Sequence, residues 1–360
     1  KEWIDWPEIG RLSLRGDSFA WDRSGLTGNQ LYLEGGAEHG ESESMLVGVT
    51  AHQGQLNGGA FSAALAGAYG QVKPAPLGDH QLTLRARAQG RQWGVRSGPE
   101  ALFEAEDFWS LSDAVQLEAG LGGGYWGLEP IVNPKVAFHY RPQSATHLFA
   151  GLRTATELPD FTELYLRRPA RTANANLQAE RIEGWAEAGA SHRFTDATWG
   201  RLVADLRRSH RHIFLADLDG DGLWMPTNAV SEQFQPGVIS QVRQAWAPGF
   251  NQQLTAGWRG VYPLGLSEIR LGTGFDGAFL DDKLGLELGV DAQMVSLSSQ
   301  QLPGGGNGLG LFAEAEFSYA VSRDWRVMLQ VTDVPIALNQ PGPNYFAPIP
   351  LLSASAQYQF

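Results

Sequence analysis

Hydrophobic and polar residues alternate along most of this chain, with a period of two. Leu284, Leu286, Leu288, Val290, Ala292 and Met294 interleave with Gly285, Glu287, Gly289, Asp291 and Gln293. Met45, Val47, Val49 and Ala51 do the same, as do Leu82 to Ala88, Ile269 to Phe275 and Leu311 to Tyr319. Such alternation puts one face of an extended strand in an apolar medium and the other in a polar one. The last strand reaches the final residue: Leu352, Ala354, Ala356, Tyr358 and Phe360 share a face, and Ser353, Ser355, Gln357 and Gln359 share the other.

About eighteen such segments are predicted. Their cores lie near 11–20, 30–38, 45–52, 60–70, 80–92, 101–109, 114–122, 135–141, 146–156, 181–193, 199–215, 237–247, 252–262, 267–276, 283–295, 309–320, 325–333 and 351–360. Each has roughly the length of a tilted membrane-crossing strand, and no helical period competes. No linker, low-complexity tract or charge block divides the chain, so residues 1–360 read as one domain. Connectors 157–180, 216–236, 296–308 and 334–350 are long, whereas 142–145, 194–198 and 321–324 are short; 263–266 breaks the trend. Long external loops and short periplasmic turns give that pattern. The fold expected is therefore all-β: a closed antiparallel transmembrane β-barrel of about eighteen strands, with both termini periplasmic.

Composition narrows the alternatives. Only 18% of the 360 residues are charged, and there are 44 Gly and 12 Trp. Soluble chains usually carry nearer a quarter charged residues. No apolar run approaches the length of a membrane-crossing helix. With no Cys, disulfides and thiolate metal sites are excluded. A net charge of −12 argues against nucleic acid as a partner. A propeller or sandwich is the competing architecture, but the blade-length repeats of a propeller are missing. The start at Lys1, without a leader, reads as a mature or truncated product.

Two stretches resemble the barrel of TonB-dependent outer-membrane receptors. One is Leu158-Pro-Asp-Phe-Thr-Glu-Leu-Tyr165, followed by Asn174-Ala-Asn-Leu-Gln-Ala-Glu180 and Glu183-Gly184. The other runs from Trp325 through Val331-Thr-Asp333 and Tyr345 to Tyr358-Gln359-Phe360. The resemblance covers roughly residues 130–360. It implies a location in the bacterial outer membrane and contact with lipid and lipopolysaccharide. It also implies a terminal signal, Tyr358 and Phe360, read by the barrel-assembly machinery. Members of that family carry a plug domain and a TonB-engaging box, neither of which is visible here. The chain reads either as the barrel part of a larger receptor or as a plugless relative. Passage or hosting of small solutes is the first functional expectation. The alternative is a structural barrel around a plug, a lipoprotein or another envelope partner.

Four groups of residues could carry chemistry. Asp217, Asp219 and Asp221 alternate around Gly220 and Gly222 as a candidate calcium loop, the only cofactor expected. Asn228 stands where a helix-loop-helix calcium site needs Glu, and a polar turn is the competing reading. Arg167, Arg168 and Arg171, with Arg208 and Arg211, form external basic patches suited to anionic substrates or lipid phosphates; interfacial pairing with acids competes. Arg85, Arg87, Arg91, Glu104, Glu106, Glu287 and Asp291 are expected in the lumen, either setting a pore's selectivity or pairing with one another. Trp3, Trp6, Trp21, Trp93, Trp109, Trp126, Trp199 and Trp325 sit near strand ends, where aromatic girdles belong. Asp205, Ser209, His210 and His212 are close in sequence, but one continuous strand would put both histidines opposite Ser209. No catalytic site is expected.

Overall fold

The computed structural model describes residues 11–21, 26–39, 43–56, 61–93, 96–126, 129–157, 174, 176–216, 225–280, 283–297, 307–322, 325–339 and 351–358. All regular structure among these residues is β. The first nine strands are β1 (Arg11–Trp21), β2 (Leu26–His39), β3 (Glu43–Leu56), β4 (Phe61–Lys73), β5 (His80–Trp93), β6 (Arg96–Ser110), β7 (Val115–Trp126), β8 (Glu129–Gln143) and β9 (Thr146–Glu157). They are followed by β10 (Glu180–Arg193), β11 (Thr198–His210), β12 (Ile213–Ala216), β13 (Met225–Asn228), β14 (Gln233–Ala247) and β15 (Phe250–Val261). The last five are β16 (Leu266–Phe279), β17 (Leu284–Leu297), β18 (Asn307–Ala320), β19 (Trp325–Asn339) and β20 (Leu351–Tyr358).

Eighteen strands form a single sheet, and β12 and β13 form a separate hairpin. Within the large sheet each strand pairs antiparallel with its chain neighbours, β11 passing over the hairpin to pair with β14. β20 pairs with β19 on one side and with β1 on the other, with Tyr358 opposite Trp325 and Leu14. The first strand thus pairs with the last. Among the described residues, each strand of the large sheet has a hydrogen-bonded neighbour on both sides.

The alternating pattern decides which side chains point out. Met45, Val47, Val49, Leu121, Val136, Phe138, Leu202, Leu206, Leu254, Leu271, Val290 and Leu329 are all exposed on the outer face. A water-soluble chain rarely leaves so much contiguous apolar surface bare. Aromatic residues flank this belt at both rims. Trp109, Tyr140, Trp246 and Tyr319 are exposed at the rim where β20 ends, the near rim; Tyr125, Phe234 and Tyr262 are exposed at the opposite, far rim. Trp199 is half-buried at the near rim. Trp3 and Trp6 lie outside the described residues.

Near-rim connectors are tight. The Ser112 hydroxyl accepts from the amides of Ala114 and Val115, and the Thr195 hydroxyl accepts from that of Ala197. Such side-chain turns stabilise short reversals. The long intervals 158–179 and 211–232 both fall at the far rim.

One sequence expectation fails locally. A single strand over 199–215 is interrupted, because Arg211 adopts a left-handed backbone conformation with φ of 60°. That conformation costs a non-glycine residue about 1 kcal/mol. It ends β11 at His210 and releases Ile213–Ala216 to pair with Met225–Asn228. Asn228 holds the break: its amide nitrogen donates to the Arg211 carbonyl at 2.7 Å and to the Gln178 carbonyl at 3.0 Å. Its oxygen accepts from the Gln178 amide at 2.8 Å.

Candidate functional site

The inner face of the sheet carries the charges, and it divides into three regions. On β5–β9 the charges are paired. Arg85 donates to Glu104 at 2.9 Å and to Glu106 at 2.5 Å, and Arg87 donates to Glu100 at 2.5 Å. Lys135 bridges Glu106 and Glu118, and His139 joins Glu118 at 3.1 Å. The Glu100 side chain is fully buried and also receives Gln89 at 2.8 Å. A carboxylate removed from water loses its hydration, and these donors replace it. Of the lumen charges expected from sequence, Arg85, Arg87, Glu104 and Glu106 belong to this paired network. Arg91 lies on β5 in register with Leu65 and Gly98.

Across the interior, β16–β18 present a wall of acids. Asp276, Glu287 and Glu316 stand side by side on three adjacent strands. Asp291 lies beside Gly272, and Glu314 beside Gly289. Both glycines leave room that a Cβ would take from the neighbouring carboxylate. Asp276 has Asn251 at 2.7 Å and Arg243 at 3.4 Å. Among the described residues no ion pair neutralises Glu287, Asp291 or Glu316. These acids line a cavity of about 890 Å³, with Glu268, Thr255 and Gln253.

The third region closes the cavity towards the far rim. Asp205 receives Arg259 at 3.1 Å and Arg207 at 3.0 Å. Arg207 and Arg153 both lie over the Trp185 indole, 3.6 Å and 3.5 Å from its ring centre. The register explains this stack, since Trp185 pairs with Arg153 on β9 and Arg207 on β11. Above it, His212 donates to Glu180 at 2.9 Å, and Gln235 donates to Glu180 at 3.1 Å and to Ser209 at 2.9 Å. Leu177, Ile182, Pro226 and Ser209 are fully buried around this cluster.

The external basic patch expected from Arg208 and Arg211 falls in a run, Arg207 to His212, whose side chains do not share one face. The strand splits it. Arg207 and Ser209 face the lumen, whereas Arg208 and His210 face outward. The left-handed Arg211 then turns His212 back onto the Ser209 side, contrary to the expectation for an unbroken strand. His212 and Ser209 still form no nucleophile–base pair: the histidine Nδ1 is engaged by Glu180, and Ser209 is sealed from solvent beside Gln235. Arg208 pairs with Glu232, and Arg211 approaches Glu129 at 3.6 Å. Asp217, Asp219, Asp221, Arg167, Arg168, Arg171 and Phe360 lie outside the described residues, as does the 158–165 stretch.

Trp185 and the acids at 276 and 316 were not singled out from sequence. Their signal was present as inward parity on adjacent strands, but it becomes legible only once register aligns Asp276, Glu287 and Glu316.

This sheet is the fold of TonB-dependent siderophore and metal receptors. The FrpB iron transporter of Neisseria meningitidis matches with a TM-score of 0.55 at 10% identity, over 98% of this chain and 72% of its own. A ferric enterobactin receptor of Pseudomonas aeruginosa, PfeA, in complex with enterobactin, matches with a TM-score of 0.54 at 14% identity over 93% of this chain. The copper transporter OprC matches with a TM-score of 0.53 at 11% identity, over 98% of this chain and 69% of its own. The chain spans 62% of the length of the enterobactin receptor. No protein-family model and no curated protein matches the sequence. These three neighbours are receptors and transporters, not enzymes.

Proposed function

We propose that this chain is a closed eighteen-stranded outer-membrane barrel through which small solutes pass or in which they lodge. One observation carries the reading: an apolar outer belt between two aromatic rims encloses a charged interior with an acid-walled cavity. Lipid outside and water inside is the solvent arrangement that makes such a sheet stable. The β1–β20 ladder and the kinship of fold with outer-membrane receptors support closure and location. In this reading the near rim, with its short turns and both termini, is periplasmic. The far rim is external, its long loops among lipopolysaccharide. The Asp217–Asp221 loop then meets an external medium able to supply calcium. Tyr358 and Phe360 serve barrel assembly, and a plug, whether from this polypeptide or from a partner, would occupy the lumen.

Glu287, Asp291 and Glu316 favour cations along the cavity, because carboxylates that no ion pair neutralises among the described residues lower the potential there. Reconstitution of the full chain in a planar bilayer tests the reading. A steady cation-selective current is expected. A barrel that inserts fully yet carries no current would overturn open passage. That outcome favours the second reading, a structural barrel around a lipoprotein or another envelope partner. The ion-paired β5–β9 wall, and the buried Leu177 and Ala179 beside the Gln178–Asn228 link to the β12–β13 hairpin, support this second reading.

A further inference from the structure

On the outer face of the far rim, three side chains converge on one point. His210 Nε2 lies 3.1 Å from Glu183 Oε2 and 3.1 Å from Glu232 Oε1. All three ligand-type atoms fall within 4.8 Å of one another. They come from separate segments: Glu183 from β10, His210 from the end of β11, and Glu232 from the residue before β14.

A backbone irregularity in β10 brings Glu183 to the histidine. Glu183 is the bulge residue of β10, skipped by the ladders to both β11 and β9. A bulge re-aims a side chain that regular pairing would direct elsewhere. The left-handed Arg211 ends β11 directly after His210. His210 already faces outward by the parity of β11, so the bulge at Glu183 is what adds the first carboxylate.

The arrangement is poorly explained as hydrogen bonding. An imidazole Nε2 carries one hydrogen, and two carboxylates are aimed at it from equal distance. A metal ion satisfies all three groups at once. Tetrahedral zinc with ligand distances of about 2.0–2.1 Å places its ligands about 3.3 Å apart. The two nitrogen–oxygen separations already match that edge. One imidazole with two carboxylates suits zinc and its neighbours in the series, not calcium or magnesium, which require six or more oxygens. We infer that Glu183, His210 and Glu232 form a site for a divalent transition-metal ion of the zinc type, with its fourth position open to solvent.

Arg208 opposes the ion. Its guanidinium bonds the same Glu232 oxygen that faces His210. Metal entry must displace that cation to the outer shell, so Arg208 weakens binding and its removal strengthens it. This sign separates a metal site from an ordinary ion-pair cluster, in which losing Arg208 would gain nothing for zinc. The inference stands on geometry alone and does not require that the lumen conduct.

The test is equilibrium dialysis of the full chain in detergent against Zn²⁺, with metal analysis and with folding checked by heat-modifiable gel mobility. One equivalent should bind, unaffected by millimolar Ca²⁺. His210→Ala should weaken binding at least about tenfold, in line with the loss of one of three ligands. The near-isosteric Glu183→Gln should do likewise, covering the case in which the histidine variant fails to fold. Arg208→Gln should tighten binding severalfold. Absence of zinc from the native chain would overturn the site. So would binding of native strength in folded His210→Ala or Glu183→Gln.

Discussion

Replacing Val290 by arginine sets lipid against water as the solvent of the outer face. Val290 is 37% exposed, and its sheet neighbours are Thr273 and Ala313. It stands six residues into β17, which spans Leu284–Leu297. At about 3.3 Å per residue and a tilt near 40°, that is roughly 15 Å along the membrane normal, near the middle of a strand rising about 35 Å. Arginine at the midplane of a lipid-facing barrel position costs about 2–4 kcal/mol. The same change on a water-facing strand stays within about 0.5 kcal/mol. The folded-to-unfolded ratio should therefore fall about 30- to 700-fold, a tenfold change for each 1.4 kcal/mol. Urea titration of the barrel in lipid vesicles, followed by tryptophan fluorescence, measures it. Asp291→Asn, one residue along and facing the cavity, is the control and should leave stability within about 0.5 kcal/mol. A Val290→Arg variant as stable as that control would refute the reasoning.

Other outcomes follow from the interior. Arg87→Met removes the cation from the fully buried Glu100 carboxylate. A loss of about 1–3 kcal/mol in the same titration is expected, less than for a wholly buried pair because Arg87 is half exposed. The triple change Asp276→Asn, Glu287→Gln, Glu316→Gln should lower the cation-to-anion permeability ratio in planar bilayers, while Glu129→Gln at the rim leaves it unchanged. Asn228→Ala removes three hydrogen bonds that hold the β12–β13 hairpin to residues 178 and 211, and should cost about 2 kcal/mol of local stability. Hydrogen exchange should speed up at Ile213 and Gln178 while the amides of β17 keep their protection.

Most of the sheet could be read in advance because a barrel strand is specified locally. Each side chain chooses the outer or the inner face by parity, so Leu288, Val290 and Met294 announce the outer face wherever the strand sits. What parity cannot reveal is where it breaks. Nothing in Arg207-Arg-Ser-His-Arg-His-Ile-Phe-Leu215 marks a left-handed residue, and the usual glycine is missing. The break at Arg211 therefore stayed hidden, and with it the hairpin and the inward turn of His212; the bulge that aims Glu183 at His210 was hidden too. Asn228 looked significant only for failing a calcium pattern, whereas its role is to clamp this turn. For Arg85, Arg87, Glu104 and Glu106 the sequence left pore-lining and mutual pairing open, and strand register brings them into pairs. That Arg85 meets Glu104 while Glu287 meets Glu316 depends on the register between adjacent strands, which alternation alone does not specify.

The central claim is that even-numbered residues of β17 meet hydrocarbon and odd-numbered residues meet water. The chain has no cysteine, so single cysteines can be placed at each position from 286 to 294 and spin-labelled without background. Paramagnetic relaxation by oxygen, which concentrates in lipid, and by a water-soluble nickel chelate then reports the solvent at each site in reconstituted vesicles. The account predicts opposite oscillations of period two, with oxygen contact highest at 288, 290, 292 and 294 and chelate contact highest at 287, 289, 291 and 293. Equal chelate contact on both faces, or oscillation of the opposite phase, would contradict it.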